Sequence, residues 1–379
     1  RAVALARALA KKLGTNDELH VITTHPNRYA NHRVEAEDIE VDGKVTIHRI
    51  AVPGHQSRMI SQMRTFAVFA FSAYRLCKKL KPNFFIGTTS RLMTGILTSL
   101  SARLQRRGYY IDLRDIFSES ISDLLKRRSL LLGNAIKPVF TFLEKRVFRG
   151  ASGVNIVSEG FTEYFQAEGI DTSNWSFFPN GVDQEFLDFP LVSKSANKRI
   201  KTILYAGNIG SGQGLETVIP AAAKRLGSGY RFVVVGDGST ISLLRNAIKR
   251  ESVINVELLP PVGRSELVKY YRDADILFVH LNNIPAFRRV LPSKIFEYAA
   301  LGRPIVAGLN GYSAQFLRNH IPSAYLFNPG DPAGAVSCVQ GASVSGASEA
   351  IISNFVKMYS RAEIMDRMAD HLIDIIECN

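Results

Sequence analysis

The sequence predicts an α/β protein built from two domains, each organised around a parallel sheet. Short apolar runs alternate with helical stretches along all 379 residues. Alternation of this kind produces parallel sheets that are covered by helices on both faces. The chain is too long for one ordinary hydrophobic core and suits two domains. The segment 184–199, which contains Pro190 and has little periodicity, is the best candidate for a linker between them.

The predicted strands form two groups. The first group covers residues 19–23, 45–50, 84–87, 109–112, 154–157 and 175–178, and the second covers 202–206, 231–235, 256–259, 276–279, 304–307 and 324–327. We therefore assign a first domain to 1–184, a linker to 185–199, a second domain to 200–350 and C-terminal helices to 351–379. Ligands of open parallel sheets bind beyond the carboxyl ends of the strands, so the loops there are the expected site.

Composition excludes several classes of protein. Hydrophobic residues make up 46% of the chain and charged residues 21%, as in soluble globular proteins. No apolar run reaches the roughly 18 to 20 residues of a transmembrane helix. The three cysteines, Cys77, Cys338 and Cys378, are scattered, which indicates neither a disulfide framework nor a zinc knuckle. A reducing cytoplasm is the expected compartment.

The net charge of +13 is unevenly distributed. Between residues 58 and 149, 18 Lys and Arg face 5 Asp and Glu, which accounts for the whole excess. No recognition helix or aromatic platform favours nucleic acid as the partner. Apolar residues lie among the charges, as at Phe66–Phe71 beside Arg75 and at Leu130–Leu132 beside Lys126, Arg127 and Arg128. This pattern suits an anionic membrane surface, and two core helices with solvated ends are an equally open interpretation.

A glycine-rich segment follows one predicted strand. The strand Lys201–Ala206 runs into Gly207-Asn208-Ile209-Gly210-Ser211-Gly212-Gln213-Gly214, and a helical pattern begins at Leu215. Glycines allow a tight turn and a close approach of the backbone to a pyrophosphate. Alone, this is a weak indication of a phosphate-binding loop.

The segment Leu291–Leu301 combines features of a phosphate site. Pro292 and Ser293 open a predicted helix whose first turn offers free backbone N–H groups, and Lys294 adds a cation there. Glu297 follows one turn later, where a carboxylate can accept hydrogen bonds from both hydroxyls of a ribose. An ordinary amphipathic helix before the buried strand 304–307 is the alternative interpretation.

Together with the segment Phe178–Asp183, these two segments resemble glycosyltransferase family 4. That family consists of retaining sugar-nucleotide transferases with the GT-B fold, an α/β fold of two facing Rossmann-like domains with a cleft between them. The similarity extends to the turn Val233–Gly238 and to the strand entry Ala274–Val279. In that family a strand and a glycine-rich loop precede the first helix, and we expect both to be missing from this sequence.

The glycine loop also resembles one branch of the family. Gly207-Asn208-Ile209 with Gln213-Gly214, together with Asp112–Asp115 and Glu119-Ser120, is similar to enzymes that build bacterial O-antigen, capsule and colanic-acid repeat units. Some members of that branch transfer N-acetyl-fucosamine. The resemblance therefore implies a UDP-linked donor.

The resemblance also implies roles for individual residues. Glu297 corresponds to the ribose acceptor, Ser293 and Lys294 to pyrophosphate contacts, and Asn180 with Gly181 to the hinge and cleft, although an ordinary turn is the alternative there. The implied donor-binding residues are Gly207, Asn208, Gln213, Gly214, Gly236, Arg288, Ser293, Lys294 and Glu297. The implied catalytic residues are Arg114, Asp115 and Lys294.

Several positions depart from the family pattern. A second glutamate, eight residues before Glu297, is replaced by Arg289. An Arg after the first glycine of the loop and a Lys before its last glycine are replaced by Asn208 and Gln213. The leaving diphosphate must still be stabilised, and Lys294, Arg288 and Arg289 are the nearest cations in sequence.

Other polar residues leave alternatives open. Many family members have a His where this chain has Arg114, which cannot act as a base near neutral pH. Asp115 could orient an acceptor hydroxyl, and an ion pair with Arg114 is the alternative. The triplet Asp273-Ala274-Asp275 imitates a metal-binding pattern but precedes a strand, where acids are usually structural. Neither His25 nor His280 receives a role.

The sequence thus predicts a glycosyltransferase that moves an N-acetylhexosamine or 6-deoxy-N-acetylhexosamine from a UDP-sugar to a lipid-linked glycan acceptor with retention. Surface polysaccharide biosynthesis, at the inner face of the bacterial inner membrane, is the expected setting. We expect no metal, no other cofactor and no nucleic acid. The alternatives are a GT-B sugar-nucleotide epimerase and a catalytically weak scaffold that binds sugar nucleotides.

Overall fold

The computed structural model describes residues 1–26, 36–53, 59–89, 91–116, 130–187, 198–342 and 348–378. The chain divides into two compact units. The first comprises Arg1–Val157, Glu163–Phe178 and Ile364–Asn379, and the second comprises Ser158–Thr162 and Pro179–Glu363. Most of the last helix, Arg361–Glu377, therefore belongs to the first unit. Most of the predicted linker, from 188 to 197, lies outside the described residues.

The first unit contains two sheets. Strands β1 (Leu19–Thr24), β2 (Ile39–Asp42) and β3 (Val45–Ile50) form one sheet in the order β1-β3-β2. Strands β4 (Phe84–Thr89), β5 (Gly108–Leu113), β6 (Gly153–Ile156) and β7 (Ser176–Phe177) follow one another in the other, and all its pairs are parallel. The described helices up to this point are α1 (Ala2–Lys12), α2 (Met59–Leu80), α3 (Leu92–Leu104), α4 (Leu130–Phe148) and α5 (Gly160–Ala167).

Among the described strands of this unit, β2 is the one that the sequence analysis missed. It pairs antiparallel with β3 through a two-residue turn at Gly43 and Lys44, and Gly43 has a φ of +59°. Two-residue hairpins favour glycine at such a position because their turns need a positive φ. The alternation Ile39-Glu40-Val41 before Asp42-Gly43 was the available signal.

The second unit contains one six-stranded parallel sheet. Its strands are β8 (Lys201–Ala206), β9 (Tyr230–Val235), β10 (Val256–Leu259), β11 (Ile276–His280), β12 (Ile305–Gly308) and β13 (Ala324–Phe327). Their spatial order, β10-β9-β8-β11-β12-β13, is that of a doubly wound Rossmann sheet. The strand order reverses between β8 and β11, and ligands bind such sheets beyond the carboxyl ends at this point. The prediction of α/β domains with parallel sheets is confirmed.

Helices alternate with these strands. They are α6 (Leu215–Leu226), α7 (Ile241–Arg250), α8 (Arg264–Asp273), α9 (Lys294–Ala300), α10 (Tyr312–His320), α11 (Pro332–Gly341), α12 (Glu349–Tyr359) and α13 (Arg361–Glu377). Among the residues described, no helix combines the length and the apolar character needed to cross a bilayer.

The core of the second unit holds β8 and β9 in place through buried side chains. Tyr205 and Phe232 are fully buried, and they pack with Val218 and Ile219 of α6 in one continuous apolar cluster. Burial of such aromatic and aliphatic side chains contributes about 1.5–3 kcal/mol for each residue. The loops that follow β8 and β9 therefore start from well-fixed strand ends.

A buried ion pair anchors the first unit. Arg1 donates to both oxygens of Asp112, at 3.1 Å from Nε and 2.8 Å from Nη2, and the two side chains are 3% and 1% exposed. Asn155 and Thr88 donate to the same carboxylate, at 2.7 and 3.0 Å. Burial alone would raise the pKa of Asp112, but the Arg1 charge and these hydrogen bonds outweigh it and hold the pKa below its ordinary value.

We predict that Asp112→Ala lowers the free energy of unfolding by about 3–5 kcal/mol, because it removes the carboxylate that compensates the buried charge of Arg1. Chemical denaturation of the whole chain measures the loss. Glu257→Ala is the control, since it breaks the solvent-exposed pair with Arg231 and should cost no more than ~1 kcal/mol. Equal losses in the two variants would contradict this account of the buried pair.

Candidate functional site

Two glycines bring the ends of β8 and β9 close together. Gly207 follows β8 with a φ of +140°, and Gly236 follows β9 with a φ of +150°. A Cβ on Gly236 would overlap the carbonyl oxygen of Gly207, and a Cβ on Gly207 would overlap the Lys294 side chain. Only glycine combines this backbone conformation with the close approach. The two turns therefore form a tightly packed floor at the carboxyl edge of the sheet.

Lys294 lies against this floor. Its Nζ is 3.2 Å from the hydroxyl of Tyr205 and 4.6 Å from the centroid of the Tyr205 ring. Burial lowers the pKa of Lys294 to about 8, and the carboxylate of Glu297 limits that shift. Near neutral pH the side chain is therefore a partly desolvated cation, which attracts an anion more strongly than an exposed lysine does.

The amides of Asn208 and Gln213 bind each other across the glycine loop. Asn208 Nδ2 donates to Gln213 Oε1 at 2.9 Å, and the same oxygen accepts the Gly210 N–H at 3.2 Å. The Tyr205 hydroxyl donates to the Asn208 carbonyl at 2.6 Å. These neutral side chains thus shape the loop, and they add no charge to it.

Strand β11 supports the loop from the other side. The Asn282 N–H donates to the Gly212 carbonyl at 2.8 Å. His280 Nδ1 lies 2.5 Å from the Gln213 carbonyl, and His280 Nε2 accepts the Gly330 N–H at 2.9 Å. This pattern fixes the neutral tautomer with its proton on Nδ1. Burial lowers the pKa of His280, so this fully buried imidazole is a structural brace for the loop.

Glu297 lies one turn beyond Lys294 and has a partner from another helix. The Tyr271 hydroxyl of α8 donates to Glu297 Oε2 at 3.0 Å. Burial raises the pKa of Glu297, while the Tyr271 hydrogen bond and the Lys294 charge oppose that change. Tyr271 is itself buried, so it fixes the rotamer of a half-buried carboxylate.

Two residues near the start of α9 that were predicted to bind the donor, Ser293 and Arg288, are exposed. The helix begins at Lys294, and Ser293 is its exposed N-cap residue without a side-chain capping bond. Arg288 is exposed and its Nη2 lies 3.3 Å from Asn283 Oδ1. The Arg289 carbonyl accepts a hydrogen bond from the Ser158 hydroxyl. The Ser293 hydroxyl therefore lies at the surface beside the first turn.

The residues predicted for the acceptor side belong to the first unit. Arg114 and Asp115 follow β5, with Arg114 exposed and Asp115 half-buried. Burial raises the pKa of Asp115 to about 6, against the opposing effects of the Ile116 N–H bond and the Arg114 charge. Among the ion pairs of the described residues, none joins Asp115 to Arg114. Glu119 and Ser120 lie outside the described residues.

Asn180 and Gly181 are held by an arginine of the second unit. Arg361 Nε donates to the Asn180 carbonyl at 2.9 Å, and its Nη2 donates to the Gly181 carbonyl at 3.2 Å. Its Nη1 also forms an ion pair with Asp183 at 2.7 Å. Gly181 has a φ of +69°, as expected for a turn after asparagine.

The triplet Asp273-Ala274-Asp275 lies at the opposite edge of the sheet from the glycine loop, because it precedes β11. Asp275 Oδ2 accepts the Thr202 N–H at 2.8 Å, and Lys198 Nζ lies 3.1 Å from its Oδ1. Within the described part of the chain, no cluster of His, Cys, Asp and Glu could hold a metal ion.

The second unit therefore brings together the glycine loop, Gly236, Lys294 and, one turn on, Glu297. Arg288 and Ser293 remain at its surface, and Arg114 and Asp115 lie in the other unit. A glycine turn after β8, beside the reversal of a Rossmann strand order, is typical of nucleotide-binding α/β domains.

Family models match both halves of the chain. Residues 1–181 match the glycosyl transferase 4-like domain, and residues 200–342 match the glycosyl transferases group 1. The two models together cover most of the sequence. The chain belongs to the glycosyltransferases and has their GT-B architecture of two Rossmann-like domains.

Individual proteins agree with this family. WcaI of Escherichia coli strain K12, assigned to colanic acid biosynthesis as a glycosyl transferase, is 26% identical over 324 residues, which are 78% of this chain and 76% of WcaI. The sucrose-phosphate synthase of Thermosynechococcus elongatus superposes with a TM-score of 0.73 at 15% identity, over 99% of this chain and 92% of that chain. Anabaena HepE in complex with UDP-glucose gives 0.62 at 15% identity, over 86% and 85%. These two structures support the fold alone.

Sequence reasoning missed three residues that organise this site. Tyr205 was assigned only to a buried strand, and Tyr271 and Asn282 were not singled out. Tyr271 contacts Glu297 across 26 positions of sequence, and Tyr205 contacts Lys294 across 89. The Asn282 N–H binds the Gly212 carbonyl within the glycine loop. Such contacts have no local sequence signal.

Proposed function

We propose that this glycosyltransferase moves an N-acetylhexosamine, or its 6-deoxy form, from a UDP-sugar to a lipid-linked glycan acceptor with retention of the anomeric configuration. The reaction would serve bacterial surface polysaccharide biosynthesis of the O-antigen or capsule type. The observation that carries the proposal is the partly desolvated Lys294 ammonium against the Gly207 turn, at the carboxyl edge of a Rossmann sheet.

The placement of Lys294 suits a leaving diphosphate. Cleavage of the bond between the sugar and the diphosphate leaves negative charge on the departing oxygens, and a preorganised cation stabilises that charge. Asn208 and Gln213 are neutral and bound to each other, so Lys294 carries this role in the loop region. In this proposal the Lys294 ammonium contacts the departing diphosphate directly.

Glu297 suits the nucleoside end of the donor. Tyr271 occupies one lone-pair direction of Oε2, and a carboxylate offers about four acceptor sites in total. The remaining sites can accept the two hydroxyls of a ribose. Ribose hydrogen bonds to an ionised carboxylate are charge-assisted and therefore stronger than neutral ones.

Asp115 suits the acceptor side. Above about pH 6 its carboxylate is ionised and can accept a hydrogen bond from an acceptor hydroxyl, which orients that oxygen. In the retaining mechanism that the family resemblance implies, the departing diphosphate takes the acceptor proton on the same face. Asp115 then needs only to orient the hydroxyl.

The similar proteins support the choice of donor and setting. The name of WcaI assigns it to colanic acid biosynthesis, and HepE binds UDP-glucose. The first supports a bacterial polysaccharide as the product for this chain, and the second supports a UDP-sugar as its donor. A metal-free mechanism is part of the proposal.

Two measurements test the proposed function. A thermal-shift screen should show that UDP raises the melting temperature more than GDP, because only ligands of the native state stabilise it. Turnover of UDP-N-acetylhexosamines with a polyprenyl-diphosphate-linked sugar acceptor should then persist in EDTA. A preference for GDP-sugars contradicts the UDP assignment, and product formation without acceptor identifies an epimerase.

We predict that Glu297→Ala weakens UDP binding by roughly 1.5–3 kcal/mol, the usual contribution of hydrogen bonds to a charged group. Isothermal titration calorimetry measures the change. Glu257→Ala, at an exposed strand position, should bind like the parent. An unchanged affinity in the Glu297 variant would show that this carboxylate does not hold the ribose.

We also propose that the first unit docks on an anionic membrane, the cytoplasmic face of the inner membrane, and so meets a lipid-linked acceptor. Helix α2 exposes Met63 and Phe71, and α4 exposes Val139 and Phe142. The Arg75 guanidinium lies 5.5 Å from the Phe71 ring centroid, and Lys78 and Lys79 are exposed at the end of the same helix. Lys126, Arg127 and Arg128, also predicted for this surface, lie outside the described residues.

We predict that the triple substitution Phe71→Ala, Lys78→Gln and Lys79→Gln reduces binding to phosphatidylglycerol vesicles, since each basic residue near such a surface contributes about 1 kcal/mol. Sedimentation with the vesicles measures the reduction, and high salt should release the parent as well. Ile254→Ala with Lys249→Gln and Arg250→Gln is the control, because it removes one exposed apolar and two exposed basic residues of the second unit. Equal sedimentation of both triple variants would contradict docking through α2.

A further inference from the structure

The hydroxyl of Tyr205 lies between the two groups that shape the floor of the site. It donates to the Asn208 carbonyl at 2.6 Å and lies 3.2 Å from the Lys294 ammonium. Tyr205 is fully buried at the end of β8, and its ring packs in the core cluster of the second unit. Burial raises the pKa of Tyr205, so the phenol keeps its proton and remains a donor.

A protonated phenol has one hydrogen to donate and two lone pairs with which to accept. Its hydrogen is used by the Asn208 carbonyl, so the oxygen is left to accept from Lys294. The ammonium also lies over the electron-rich face of the same ring, 4.6 Å from its centroid, which is favourable for a cation. A lysine side chain that is not already held in place loses much rotamer freedom when a ligand orders it. Tyr205 therefore fixes both the direction of the ammonium and the path of the loop.

We propose that Tyr205 is a positioning residue that holds the Lys294 ammonium at the Gly207 turn, ready for the diphosphate of a bound nucleotide. The inference rests on the proposed function, in which Lys294 contacts the donor diphosphate. A preorganised cation binds an anion better than a mobile one, because less ordering accompanies binding.

The test is a double-mutant cycle on ligand binding. UDP and inorganic pyrophosphate are titrated into the parent, Tyr205→Phe, Lys294→Met and the double variant, and folding of each is checked by thermal unfolding. Phenylalanine keeps the packing and removes only the oxygen. Tyr205→Phe should weaken UDP binding about tenfold. In the Lys294→Met background the same change should alter affinity by no more than about twofold, because the residue acts through Lys294.

A pH profile separates positioning from general loosening of the loop. The parent should lose affinity as the pH rises past about 8, where Lys294 gives up its proton. The groups that face this ammonium are the Tyr205 hydroxyl from β8 and the Glu297 carboxylate from its own helix. Tyr205→Phe removes an acceptor of the charged form and should move the alkaline loss of affinity to lower pH. Lys294→Met should abolish this alkaline loss.

Tyr110→Phe is the matched control. It removes a buried tyrosine hydroxyl of the first unit, 2.8 Å from Ser176 Oγ, and should leave UDP affinity and its pH profile unchanged. The positioning role alone would be overturned if Tyr205→Phe bound UDP as tightly as the parent. It would also be overturned if the substitution reduced UDP affinity equally with Lys294 and with Met at that position. A parent that binds neither UDP nor pyrophosphate would overturn it together with the proposed function. If the parent bound pyrophosphate but not UDP, and the double-mutant cycle with pyrophosphate gave the predicted coupling, Tyr205 would keep its positioning role. The nucleotide would then be rejected as the ligand.

Discussion

The organisation of the candidate site depends on one steric constraint: the Lys294 side chain occupies the space that a Cβ at residue 207 would fill, and the Gly207 carbonyl occupies the space that a Cβ at residue 236 would fill. Gly207 has a backbone conformation that other residues rarely adopt, and Gly236 repeats it at the next strand. The two glycines allow the backbone of one turn to lie against the other. Because both glycines directly follow buried strands of one sheet, the Lys294 ammonium lies close to the carboxyl edge of that sheet.

Electrostatics follows from this geometry. Placing an ammonium and a carboxylate in partly buried positions costs free energy, as the lowered pKa of Lys294 and the raised pKa of Glu297 indicate. In the second unit, hydrogen bonds with two tyrosine hydroxyls limit this cost: Tyr205 pairs with Lys294, and Tyr271 pairs with Glu297. Both charged groups lie on one short helix, so a shift of α9 would move them together. The paired tyrosines belong to β8 and α8, which tie that helix to the sheet.

Much of the fold could be predicted from the sequence, and part of the site could. Parallel strands buried on both faces are continuous apolar runs, which is why β8, β9 and β11 were located. Strand β2 was missed because its alternation of apolar and polar residues extends over only four positions, all of them exposed. Glycines and Lys294 were found because their chemistry is local to a segment. The sequence does not distinguish a buried aromatic residue that only packs from one that positions a functional group. No role was therefore given to Tyr205, Tyr271 and His280.

The exchange of loop cations for amides changes what the loop can do. A loop with arginine and lysine would repel itself in the absence of an anion, whereas the Asn208–Gln213 pair closes on itself through a neutral hydrogen bond. His280 and Asn282 hold the same backbone through further hydrogen bonds, so contacts within the second unit define the conformation of the loop. In the proposed function, the cost of ordering the loop is then met during folding, and the Lys294 ammonium meets the donor diphosphate in a preorganised site. Under that proposal, the preorganised loop offsets the loss of two loop cations, and stabilisation of the diphosphate charge depends more strongly on Lys294.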